Sequence, residues 1–174
     1  MTSFLQNLIR FSENLNERAG RAVSWLTTAL VILVCFDVTT RYLFKTTSAW
    51  IMELEWHLFA LIFLIGAGYT LKHDRHVRVD LFYARFSKRD QAWVNLLGTL
   101  IFLIPWTIIL MVFSYYFALE SFADKEGSPN PGGLPAWYLI KFAIVVGLFL
   151  LLLQALALAA RSWLSLQQKD ESPN

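Results

Sequence analysis

The chain is poor in the residues that most chemistry needs. It has one cysteine, Cys35, which excludes an internal disulfide, a cysteine-based metal site and a dithiol redox motif. Cys35 lies inside an apolar run, where it reads as a small membrane-buried residue. Histidine is scarce too, with only His57, His73 and His76. A haem-carrying bundle needs histidines paired across helices at membrane depth. Only His57 lies in a long apolar segment, and it sits near one end. No serine stands with a histidine as a hydrolytic nucleophile requires. There is no internal repeat, and no pair of broken apolar segments marks an inverted-repeat transporter. The expectation is a protein that is no enzyme and has no cofactor or metal site.

Charge is limited to 16% of residues, whereas 56% of the 174 residues are hydrophobic. A soluble core of this length cannot hide so much apolar surface. The apolar residues fall in four runs, at about 22–44, 50–71, 93–119 and 137–160. Each exceeds the ~20 residues that cross ~30 Å of hydrocarbon. Backbone in lipid must satisfy its own hydrogen bonds, so these runs are helices. The expected fold is all-α: an integral membrane four-helix protein forming one domain. Pro105 inside the third run predicts a kink. Ahead of the first run, Phe4, Leu8, Phe11 and Leu15 recur at helical spacing, with Arg10, Glu13, Glu17 and Arg18 mostly elsewhere. Residues 1–20 thus predict a short amphipathic helix lying on the membrane surface, the alternative being a disordered tail. They do not read as a signal peptide, because the run that follows is too long and no small-residue cleavage site ends it.

Eleven of the fifteen basic residues fall before the first run, in the 72–92 loop, or after the fourth run. The positive-inside rule then puts both termini and the 72–92 loop in the cytoplasm, and the 120–136 loop on the periplasmic side. Aromatic residues interleave the basic loop, so lipid headgroups suit it better than nucleic acid. Arg75, Arg78, Arg85, Lys88 and Arg89 are the headgroup candidates. Tryptophans near the run ends, Trp50, Trp56, Trp93, Trp137 and Trp163, suit interfacial anchoring.

Charged residues at membrane depth are functional candidates by default. Asp37 and Arg41 are four apart with the acid first, as a pair along one helix requires. Glu53 and His57 share that spacing and could bond, but two ligands fall short of a metal site. Glu120 and Lys141 could pair across helices, or Lys141 could snorkel to headgroups. None is near the midplane, so structural roles outweigh ion coupling. Asn95 and Gln154 suit interhelical hydrogen bonds, and Ala60, Gly66, Ala67, Gly68, Gly147 and Ala155 suit close helix packing. The stretch SPNPGGLPAWYLIK, residues 128–141, packs three prolines and two glycines ahead of the fourth run. Gly132 and Gly133 permit a sharp turn, and Pro135 is placed in the first turn of the helix.

Several patches together resemble one family: RYLF, WIMELEWHLF, GAGYTLKHDRHVRVD, SPNPGGLPAWYLIK and LLLQALA, in that order. It is the small membrane subunit of tripartite ATP-independent periplasmic (TRAP) transporters, most like the mannitol, chloroaromatic and keto-acid branch. The resemblance implies a multi-pass protein of the bacterial inner membrane. It implies secondary active uptake of an organic acid, driven by an ion gradient through a large membrane subunit. It implies that the small subunit braces the large one and helps dock a periplasmic substrate-binding protein, with no substrate site of its own. Asp37, Arg41, Trp50, Glu53, His57, Glu120, Lys141 and Gln154 are then candidates for the large-subunit interface. Lys45, Ser48, Asp124, Lys125, Glu126, Asn130, Gly132 and Gly133 are candidates for docking. The chain ends soon after the fourth run in QQKDESPN, so a separate polypeptide is expected. Two other classes stand beside this one. A self-sufficient oligomeric exporter would use Asp37 as its membrane acid, and a membrane anchor of a redox complex would need haem or quinone ligands.

Overall fold

The computed structural model describes residues 2–73, 83 and 85–170. Among these residues the chain is helical, with no strand. The four apolar runs become four helices: α1 (Thr2–Leu43), α2 (Ala49–Lys72), α3 (Lys88–Ala123) and α4 (Tyr138–Asp170). Each is long and apolar enough to cross a membrane. α4 packs against the other three, and α1 and α2 also pack on each other. One end of the bundle holds the connections 44–48 and 124–137. The other holds the end of α2, the start of α3 and the end of α4, and is called the basic end below.

The expected separate surface helix over residues 1–20 is corrected. It is continuous with the first span, giving one helix of 42 residues. At ~1.5 Å per residue this is about 63 Å, twice the hydrocarbon thickness. Its apolar face points away from the bundle, as a face meant for lipid would. Phe4 and Phe11 are exposed, while Ser12 and Asn16 are fully buried. The polar groups on the other side gain by facing another helix. Further along, Val23 and Asp37 are buried and Leu26, Leu30, Leu33 and Thr40 half-buried, alternating three and four apart. That is the seam of a near-parallel helix packing.

Helices approach closely where small residues allow it. A Cβ on Gly147 would stand 2.6 Å from the Leu64 carbonyl oxygen of α2. Ala118 and Ala155 are completely buried. Within α3, residues Thr99–Leu103 form a π turn just ahead of Pro105. Proline has no N–H to donate and crowds the carbonyl four residues back. The disruption expected at Pro105 therefore takes the form of a widened turn preceding it. The Thr107 hydroxyl donates to the Leu103 carbonyl at 2.6 Å, occupying an oxygen of that turn.

Candidate functional site

The 124–137 connection is ordered by its own backbone. Just past the end of α3, Lys125 has a φ of 50°, a left-handed turn that closes the helix. The Glu126 N–H donates to the Ser121 carbonyl at 3.0 Å, and the Trp137 N–H to the Glu126 carbonyl at 2.9 Å. Between these, Ser128 N–H reaches the Leu134 carbonyl at 2.9 Å and Gly133 N–H the Asn130 carbonyl at 3.0 Å. Gly132 has φ 73°, which its missing Cβ permits. Pro135 lies outside α4, correcting the expectation that it opens the helix. Ala136, at φ 61°, follows it, and α4 starts at Tyr138. An alanine held left-handed needs surrounding contacts to fix it.

The side-chain contacts of this connection centre on Glu53. This carboxylate lies in the second turn of α2 and its residue is 4% exposed. One oxygen accepts from the Ser128 hydroxyl and from Asn130 Nδ2 at 3.1 Å. The other accepts from the Leu134 N–H at 2.6 Å. Charge-assisted bonds of this kind are the strong ones. Gly133 fits because a Cβ there would collide with Ser128 and stand 2.7 Å from Glu53 Oε1. One acid thus ties the turn to the start of the second span.

His57 does not meet the Glu53 carboxylate, correcting the possible bond between these side chains. Its Nδ1 lies 2.6 Å from the Glu53 backbone carbonyl. Its ring lies against Trp56, tilted by 34° with centroids 3.8 Å apart, and Trp56 meets Trp137 edge-on at 5.5 Å. A second correction concerns Lys141, which pairs with Glu126 and not with Glu120. Its Nζ also stands 3.8 Å from the Phe117 ring centroid. The hydrogen bond from Lys141 holds the Glu126 carboxyl below the usual carboxylate range. Glu120 is exposed on α3.

Asp37 and Arg41 form the ion pair their spacing suggests, with Asp37 buried and Arg41 half-exposed. Trp50, Lys45, Asp124, Lys125 and Asn130 are exposed at the same end. Ser48 is the residue before α2, and its side chain makes no capping bond. Gln154 lies elsewhere, towards the basic end, where its Oε1 accepts from Ser12 Oγ and Asn16 Nδ2, each at 3.2 Å. Asn95 Nδ2 donates to the Tyr83 hydroxyl at 2.8 Å. Of the headgroup candidates, Arg85, Lys88 and Arg89 are exposed, and Arg75 and Arg78 lie outside the described residues. Sequence reasoning missed Ser12, Asn16 and Ser128, and it missed the ion pairs Glu13–Arg161 and Glu17–Lys72. The i, i+4 pair of small polar residues Ser12 and Asn16 was the available signal for a helix contact.

The family model for the DctQ component of tripartite ATP-independent periplasmic transporters matches residues 11–165, which takes in all four helices. The chain belongs to the DctQ family. It is the small membrane subunit of a TRAP transporter, a transport component of the inner membrane. DctQ proteins are not a known enzyme family, and they work with a large membrane subunit and a substrate-binding protein. No curated protein matches the chain.

Proposed function

We propose that this DctQ chain braces the large subunit and presents an ordered face to the substrate-binding protein during ion-coupled uptake of an organic acid. The branch we favour is the mannitol, chloroaromatic and keto-acid one, on the sequence patches above. The observation that carries the reading is the Glu53 tie. It ties the 124–137 connection, already ordered by its own backbone bonds, to the second span. A fixed, partly charged surface loses little conformational entropy when a partner docks on it. The charge distribution supports a topology in which this end is periplasmic and the termini and basic loop are cytoplasmic. In that topology Asp124, Lys125 and Asn130 face an arriving binding protein. Arg41 and Trp50 then stand at the same level, as large-subunit contacts. Arg85, Lys88 and Arg89 meet headgroups at the opposite interface.

The test uses Glu53→Ala in the assembled transporter. Binding of the substrate-binding protein and uptake into proteoliposomes should fall, with more of the loop cut by added protease. Unchanged binding with a loosened loop would remove the docking role. Arg41→Ala should lower co-purification with the large subunit. Transport by proteoliposomes holding this chain alone would favour the exporter reading.

A further inference from the structure

At the basic end a cavity of about 270 Å³ opens between the end of α2, the start of α3 and the last turns of α4. Its walls carry two polar stripes, with Leu71, Ala92 and Leu158 among them. On α4 the stripe is Gln154, Arg161, Ser162 and Ser165, which recur at the spacing of a single helix face. On α3 it is Lys88, Gln91 and Asn95, again one face. Lys72 closes the side from α2. Among the described residues, three cations line the cavity and no acid does.

The donors are set for an anion. Gln154 is 2% exposed, and its Oε1 is taken by Ser12 and Asn16 of α1. Its Nε2 has no protein acceptor among the described residues, although the side chain lines the cavity. Ser162, about two turns further along α4, is also buried and brings a hydroxyl. Lys72 and Arg161 are held from behind by acids of α1. Lys72 Nζ donates to Glu17 Oε2 at 2.6 Å, and Arg161 pairs with Glu13. Each pair uses only part of the donor set, since an ammonium has three N–H groups and a guanidinium five. Lys88, exposed at the rim, has no acidic partner among the described residues. A buried amide, a buried hydroxyl and several cations around a space many times a water's share of ~30 Å³ do not suit an apolar chain.

We propose that this cavity binds a phosphate group. The headgroup of an anionic phospholipid and free phosphate share that chemistry. The place, at the ends of three spans, favours the lipid, since basic pockets between spanning helices take anionic headgroups. The proposal does not depend on how the opposite end docks its partner.

The test is lipid retention by the full chain in detergent, read by native mass spectrometry. Phosphatidylglycerol should be kept over phosphatidylcholine. Lys88→Gln with Ser165→Ala, both at the exposed rim, should lower that retention about fivefold. Ser162→Val, which removes a donor and narrows the space, should lower it as well, without changing the melting temperature of lipid-free protein. A parallel arm titrates inorganic phosphate into lipid-free protein and follows the melting temperature. A rise that the same substitutions abolish supports the site and assigns it to free phosphate. Equal phosphatidylglycerol retention by wild type and both variants, with no phosphate effect on stability, overturns the proposal.

Discussion

At the residue scale, the ionisable groups of this chain act mostly on the chain itself. Asp37 is 2% exposed and its partner Arg41 is its own helix neighbour. Arg41→Ala should therefore destabilise by about 1–3 kcal/mol, because it leaves a buried carboxylate without its cation. Adding Asp37→Asn should recover most of that loss. Unfolding in a denaturing detergent measures both, and a double variant no more stable than the single one would show that the pair is not the cause. Glu126 gives a pH dependence. Its carboxyl is held low by Lys141, so the folded loop binds that proton less readily than the unfolded chain does. The stability it contributes is complete above the ordinary value of 4.5 and is lost as pH falls through the lowered folded value. Between neutral pH and that region the Trp137 amide, bonded to the Glu126 carbonyl at 2.9 Å, should stay protected from hydrogen exchange. Protection should fall at lower pH, and Lys141→Met should remove the step.

At the element scale, contact between helices depends on side chains too small to keep them apart. Gly147→Val brings a Cβ to 2.6 Å from the Leu64 carbonyl, where backbone and not a mobile side chain must yield. The expected cost is about 1–3 kcal/mol, together with lower yield of the assembled bundle. Gly66→Ala is the control, since nothing lies within 4 Å of a Cβ there, and it should be close to neutral. The four helices were legible in the sequence because hydrocarbon thickness sets a minimum run length and backbone satisfaction permits only helices. Gly66 and Gly147 could not be told apart, because one contact depends on the rotation of two helices about their axes. The same ambiguity hid the register of α1. Phe4 and Phe11 read as a lipid-facing side and are exposed, but nothing in the pattern said that Ser12 and Asn16 would be buried against α4. The partner choices of Glu53 and Lys141 were illegible for another reason. Both bind the 124–137 connection, whose path depends on left-handed residues, Lys125 and Ala136, that no glycine announces.

At the scale of the whole molecule, the two ends differ in what their charges are free to do. At the 124–137 end the acids Glu53 and Glu126 are engaged in holding the connection. Asp124 and Lys125 are exposed beside them. A charge reversal across positions 124, 125 and 126 would therefore mix two effects, lost docking and a lost loop. The separable experiment reverses only Asp124 and Lys125, as Asp124→Lys with Lys125→Glu, and compares it with Glu126→Lys. Exposed charges at an interface mainly set encounter rate and its salt dependence. The Asp124/Lys125 pair should thus slow association of the substrate-binding protein and lower uptake at low salt, with the complex and the protease resistance of the loop unchanged. Glu126→Lys should lower uptake and loosen the loop together, since it sets two cations against each other at Lys141. Association rates measured by surface-captured transporter across a salt series distinguish the two. If the Asp124/Lys125 reversal leaves association and its salt dependence untouched, this end does not dock by charge, and the Glu53 tie serves only the bundle.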